Sequence, residues 1–237
     1  PTSTSFVDLK FTQTIGVTTA DTGDILPNYS TAVTLNSGVI VSSAGNSTID
    51  FETLAQDQIR GVVVSMAMLN FAETRFTGNI AYTFDELVSN TKMIKFNVEE
   101  QVKKYDRKIN KDTLEWWNKQ GEEAKKQLKP SEADVSISEL YSFFILNKSA
   151  NIRKVYTRGN TFDPIFLEHI MRQTEYPDPY NWWEVRDTRS LIEGLSWGTD
   201  IKNSFTPPGC ESFIHHDPKH DIAMDVMRMQ TLVQAIA

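Results

Sequence analysis

Apolar and polar residues alternate with a two-residue period in several places along the chain, and that period predicts strands. Three successive segments between residues 48 and 90 carry it: TIDFET, GVVVSMAMLNF and IAYTFDELV. Beyond them the pattern lengthens toward the helical period. NVEEQVKKYDRKIN and KDTLEWWNKQGEEAKKQLK read as helices of mixed charge, the second stopped by Pro130, and ISELYSFFILNK reads as an amphipathic helix. KVYTRG is a short strand ending at a glycine, and DPIFLEHIMRQT is a helix with Asp163 at its start and Pro164 in the favoured first turn. WWEVRD predicts a strand, TRSLIEGL a helix, NSFTPPGCESFIHHDPKH a loop, and DIAMDVMRMQTLVQAIA the closing helix. Strands followed by alternating helix and strand predict an α/β fold with a mixed sheet.

Residues 1–47 differ. They are rich in Ser, Thr, Gly and Val and hold only four acidic or basic residues. FVDLKFTQTIGV and TAVTLNSGVIVSS alternate as strands or extended segments do, and GNS at 45–47 reads as a turn before the first core strand. The expected organisation is an N-terminal β-rich or extended appendage over 1–47, either packed on the domain or reaching for a protein partner, followed by a catalytic-sized domain over 48–237.

Composition narrows the class. Forty per cent hydrophobic and 23% charged residues in 237 suit a globular protein. A single cysteine, Cys210, leaves no intramolecular disulfide and points to a reducing compartment, so a cytoplasmic location is expected. No apolar run reaches the roughly 20 residues that a membrane-spanning helix needs, so no membrane partner is expected. A formal net charge of −7 argues against a protein that coats a nucleic-acid duplex. It does not argue against a small acidic centre that becomes electropositive once loaded with cations.

Three constellations carry candidate chemistry. In Ile49-Asp50-Phe51-Glu52-Thr53, residues two apart share a strand face, so both carboxylates point together. Such a pair repels unless a cation lies between, and oxygen ligands suit Mg²⁺ or Mn²⁺; solvated acids on an exposed strand are the plainer reading. In Arg158-Gly159-Asn160-Thr161-Phe162-Asp163 a carboxylate sits where a helix begins, as a helix cap also would. The third runs His216-Asp217-Pro218-Lys219-His220-Asp221. A loop histidine beside a helix-borne carboxylate can take a proton from a bound water. A zinc pair of His216 and His220, or incidental loop histidines, are the rivals. His220 and Asp225 repeat the spacing of His216 and Asp221, so spacing alone leaves two assignments open.

In order and context the three together resemble the DEDDh 3′→5′ exonucleases. IDFET, YTFDELV, TLEWW, the FD turn, W-x-x-RD-x-R and HDPKHDIAMD are similar to the group that contains exonuclease A of T-even phages and related bacterial exoribonucleases. The likeness covers about residues 48–236 and leaves 1–47 unmatched. It implies a ribonuclease-H-like mixed sheet flanked by helices and a phage-type nuclease. By the same resemblance, Asp50, Glu52, Asp163 and Asp221 hold two Mg²⁺ or Mn²⁺ ions. His216 is then the general base, with activity rising through about pH 6.5. The implied substrates are DNA or RNA 3′ ends, cut to nucleoside 5′-monophosphates, and a homodimer is compatible. The family places the aspartate at the start of the last helix, which favours His216 and Asp221.

Phe51, Thr53, Leu54, Arg158 and Phe162 are the candidate substrate contacts. Of the adjacent Trp116 and Trp117, one is expected in the core. Arg186-Asp187 reads as structural, and Lys103, Lys104, Arg107 and Lys108 form a basic run that could guide a strand. The alternative function is a non-catalytic nucleic-acid-binding or assembly subunit that retains the nuclease fold. An endonuclease of the same fold is a further rival, and no motif separates DNA from RNA as substrate.

Overall fold

The computed structural model describes residues 33–34, 40–41, 44–149 and 151–237. Two short strands, β1 (Val33–Thr34) and β2 (Ile40–Val41), pair antiparallel within the predicted TAVTLNSGVIVSS segment. FVDLKFTQTIGV lies outside the described residues. Five further strands form one sheet: β3 (Ala44–Thr53), β4 (Val63–Phe71), β5 (Lys92–Lys95), β6 (Asn151–Thr157) and β7 (Val185–Asp187). Their spatial order is β5-β4-β3-β6-β7. β4 runs antiparallel to both β3 and β5, whereas β6 pairs parallel with β3 and β7 parallel with β6. This is the expected mixed α/β sheet.

β3 begins at Ala44, so GNS at 45–47 is strand and not a turn, and the boundary expected at 47/48 falls inside that strand. Gly45 serves close approach instead: a Cβ there would stand 3.2 Å from the Phe71 carbonyl oxygen. Ser47 beside it donates a 2.7 Å hydrogen bond to the Asn70 side chain across the pair.

The third predicted strand is corrected. YTFDELV contains helix α1 (Phe84–Asn90), and the strand follows it as β5. Thr83 caps this helix by accepting the Glu86 N–H, Asp85 and Glu86 favour the first turn, and the buried Phe84 and Leu87 lie on one helical face. Alternation over so short a window does not separate the two periods. Helix α2 (Val98–Tyr105) ends where Asp106 turns left-handed at φ 51°. The next predicted helix divides into α3 (Lys111–Asn118) and α4 (Glu122–Lys126) around Gly121. Helix α5 (Leu140–Asn147) is apolar on its outer side too, with Leu146 83% exposed, so it is less amphipathic than expected. The Trp182–Glu184 half of the predicted WWEVRD strand is a 3₁₀ turn.

Helices α6 (Asp163–Gln173) and α7 (Thr188–Ser196) match their predicted positions, but the closing helix α8 spans Pro218–Ile236. It starts earlier than expected because Asp217 caps it, accepting the Lys219 N–H at 3.0 Å, and Pro218 takes the first helical position, where its missing N–H costs nothing.

The core lies on both faces of the sheet. Ile49, Phe51, Met66, Met68 and Val155 pack under α5 and α6 through Leu140, Phe144, Phe166 and Ile170. Ala67, Leu69 and Tyr156 pack on the other face against α8, α1 and α7 through Ile222, Val226, Phe84 and Ile192. No helix among the described residues is long and apolar enough to cross a membrane.

Candidate active site

The pleat of β3 builds the site. Ile49 and Phe51 enter the core beneath α5 and α6, so Asp50 and Glu52 face the opposite side, toward α8. Opposite them on β4 stand Ala67 and Ser65, both buried, which leaves room above the strand for the acids. The register slips between Glu52 and Thr53, ending the regular ladder at the last acid.

Asp163, the first residue of α6, is buried and accepts the Phe51 N–H at 3.3 Å, which ties the start of α6 to the acid strand. It follows the N-cap position, which Phe162 occupies, so the capping reading does not hold for it. Asp221 comes from the opening of α8. Glu52, His216 and Asp221 each bring a ligand atom within 4.8 Å of the others.

The electrostatics of this arrangement are unfavourable without a counter-ion. Burial first, then Asp163, Glu52, Asp221 and Asp225, hold the Asp50 carboxyl well above its usual range. Glu52 is likewise raised by burial and by Asp221 and Asp163. Burial pushes Asp163 up to about 7, with the Phe51 N–H opposing. Asp221 also reaches about 7, through burial and Asp225 against the pull of Arg158. Carboxylates this close resist joint ionisation, and hard divalent cations are the partners that relieve them.

The duplicate His220 and Asp225 have other partners, although Asp225 lines the same cleft as Asp50 and Asp221. Asp225 is buried, but it is ion-paired with Arg158, receives a hydrogen bond from the Thr188 hydroxyl, and has Arg228 3.7 Å away. Those partners pull its pKa down, yet burial outweighs them and holds Asp225 above the ordinary carboxylate range, so it adds to the crowding of Asp50 and Asp221. His220 accepts the Ile214 N–H on Nδ1 at 3.2 Å and lays its ring 5.4 Å from Phe84. That placement turns it from a shared zinc site with His216. His216 lies on the loop before α8 with a left-handed φ of 61°, and burial and His215 lower its pKa below the ordinary 6.5.

A cleft of about 570 Å³ is lined by Asp50, Glu52, Asp163, His216, Asp221 and Arg189, among others. A second, of about 710 Å³, shares Phe51, Glu52 and Phe162 with it and continues past Thr53, Asn110 and Trp116. Phe51 and Thr53, though buried, and the partly buried Phe162 line the second cleft, whereas Leu54 does not and packs in a small apolar cluster with Val62, Val64 and Trp117. Arg158, a candidate substrate contact, lines the first cleft and pairs with the Asp225 carboxylate.

The basic run does not form one track. Arg107 is fully buried and bonds the Gly61 carbonyl, while Lys103 and Lys104 pair with Glu99 and Glu100 on the exposed face of α2. Arg186 donates to the Trp183 carbonyl at 2.7 Å and Asp187 caps α7, in keeping with a structural pair. Sequence spacing gives no sign of Thr188 and Arg228 beside Asp225, nor of the contact of Trp116 and Trp117 with His216. Except for Arg228 and Asp225, one helical turn apart, these partners are remote in the chain, so no local pattern signals their meeting.

The chain is 32% identical over 203 residues to the exodeoxyribonuclease of Enterobacteria phage T4, covering 77% of this chain and 86% of that protein. Among solved structures, the zinc-bound E. coli exonuclease I complex with single-stranded DNA superposes with a TM-score of 0.50 at 14% identity, over 81% of this chain. Another exonuclease I structure gives 0.49 at 13% identity. The chain spans 40% of the length of either. The likeness to the first concerns the fold, which is ribonuclease-H-like. Residues 45–233 match the 3′-5′ exoribonuclease Rv2179c-like domain. Family match, phage relative and fold agree: the chain belongs to the 3′-5′ exoribonuclease Rv2179c-like family and is a 3′→5′ exonuclease of the DEDD type.

Proposed function

We propose that the protein uses two divalent cations to hydrolyse phosphodiester bonds at the 3′ ends of single-stranded DNA or RNA, releasing nucleoside 5′-monophosphates. The observation that carries this reading is the approach of Glu52, Asp221 and His216 to within 4.8 Å, in a cleft whose carboxylates are raised by one another and by burial. A carboxylate-rich set of this kind fits Mg²⁺ or Mn²⁺. Asp50, Glu52 and Asp221 would hold one ion and Asp163 would serve the second. Such a pair, when bound, supplies charge neutralisation at the phosphate and acidifies water.

The protein's own groups do the rest. His216, neutral near pH 7 because its pKa is depressed, accepts a proton from the attacking water. The new bond joins that water oxygen to phosphorus, the bond from phosphorus to the 3′-oxygen breaks, and solvent protonates the departing oxygen. Arg189, exposed at the cleft wall, is placed to meet a phosphate. Phe51, Thr53 and Phe162 border the space where the terminal nucleoside would lie.

The relative's name says exodeoxyribonuclease and the family's says exoribonuclease, so both polymers belong in the test. Matched DNA and RNA strands labelled at the 3′ end are incubated with Mg²⁺ or Mn²⁺. Labelled mononucleotide as the first product supports the proposal. Internal fragments would mean an endonuclease, and binding without cleavage would mean a non-catalytic subunit. Of the appendage expected over 1–47, residues 44–47 belong to β3; those before them are taken to offer a surface to a protein partner. Homodimerisation, and action in the cytoplasm of a host cell, complete the proposal.

A further inference from the structure

We propose that α3 and α4 hold His216 over the acid cluster through the indoles of Trp116 and Trp117, and that Trp116 is a positioning residue for hydrolysis. The His216 ring meets Trp116 edge to face at 4.7 Å and 76°, and Trp117 at 5.9 Å and 77°. The two indoles also pack on each other at 5.1 Å and 77°, so three rings brace one another in mutually tilted contacts. Adjacent residues on a helix normally diverge; here the loop histidine sits in the angle between them.

This brace is anchored on both sides of the cluster. Trp117 is buried, and its Nε1–H donates to the Thr53 carbonyl at 2.9 Å, at the register slip directly after Glu52. From the end of the same segment, the Gln127 amide donates to Asp217 Oδ2 at 2.9 Å, and Asp217 is the cap of α8. One segment therefore touches the acid strand, the imidazole and the start of the helix that carries Asp221. His216 needs such support. Its left-handed backbone is an uncommon state for a residue with a side chain, and it persists only where neighbours impose it.

Trp116 is 41% exposed and also borders the second cleft, so direct contact with substrate is the competing role. The two roles separate in kinetics. Trp116→Leu should lower kcat by about 10- to 100-fold, as a displaced catalytic group does. KM should stay within about twofold and the rise in melting temperature on adding Mn²⁺ should be kept. Trp116→Phe, which restores a ring, should recover kcat to within about threefold of wild type. Gln127→Leu removes the second anchor without touching the cleft and should lower kcat severalfold at constant KM. A raised KM with unchanged kcat in Trp116→Leu makes Trp116 a substrate contact and overturns the proposal. If Trp116→Leu does not fold, the Gln127 and Phe variants decide, and unchanged kcat in Gln127→Leu overturns it.

The inference rests on His216 acting as the base. Full turnover in His216→Ala ends that reading, whereas an inactive His216→Ala beside a fully active Trp116→Leu ends this inference alone.

Discussion

Asp163→Asn tests whether the acid cluster is held together against its own charge. The substitution removes one ionisable group and keeps an oxygen that can accept the Phe51 N–H. In the unfolded chain an aspartate ionises near 3.8, but the folded structure raises Asp163 to about 7. The folded state therefore holds a proton that the unfolded state releases, and stability falls as pH rises from the lower value through the higher one. Above pH 7 the loss levels off at roughly a few kcal/mol, at ~1.36 kcal/mol for each pH unit between the two values. More than half of it develops between pH 5 and pH 8.

Asparagine escapes this loss. Its advantage over aspartate in EDTA should grow by about 2–3 kcal/mol from pH 5 to pH 8, or ~5–10 °C in Tm for a domain of this size. Thermal melts of both proteins in EDTA at the two pH values measure it. Adding Mn²⁺ at pH 8 should then raise the Tm of the wild type and do much less for the variant, whose turnover should fall by about 100-fold or more. An Asn-for-Asp difference that is the same at pH 5 and pH 8, or a wild-type Tm at pH 8 indifferent to Mn²⁺, would refute the account of the cluster.

Three further outcomes are expected. His216→Ala should lower kcat by about 10²–10⁴-fold while the Mn²⁺-dependent gain in Tm persists; loss of that gain would make His216 a ligand instead of a base. At saturating Mn²⁺ the rising limb of kcat against pH should have its midpoint below 6.5, because His216 is depressed, and not at the ordinary histidine value expected for a base implied by the resemblance; a midpoint above 6.5 counts against the assignment. Arg158→Met should cost about 1–3 kcal/mol by leaving the buried Asp225 short of its partner, and adding Asp225→Asn should recover part of the loss; urea unfolding of the single and double variants at pH 8 checks this, and an additive double variant would mean the pair is not coupled.

Much of the site is legible in the amino-acid sequence because it depends on short periods. Asp50 and Glu52 share a face, with Ile49 and Phe51 on the other, wherever that segment is a strand. Asp163 followed by Pro164 marks a helix start for equally local reasons. The elements that differ from expectation do so where a local pattern has two physical meanings. Gly45 resembles a turn signal, yet its missing side chain serves the approach of the Phe71 carbonyl. Ile80, Tyr82 and Phe84 alternate as in a strand, yet Thr83 caps a helix that begins at Phe84 and sets Leu87 on the same face as Phe84. Asp217 and Pro218 suit a loop by composition, although together they form a helix start.

The amino-acid order by itself determined the strand face that carries two acids, the turn that delivers the third and the loop that delivers a histidine, since each follows from backbone geometry over a few residues. Spacing alone leaves open which histidine and aspartate of the repeat serve the cluster; the resemblance favours His216 and Asp221, and only the tertiary structure gives the two pairs their different neighbours. Asp225 is ion-paired with Arg158 and bonded by Thr188 while Asp221 approaches Glu52 and His216, and His220 turns to Phe84 while His216 turns to Trp116 and Glu52. A buried charge takes its character from whatever stands beside it in space, and here those neighbours come from distant parts of the chain.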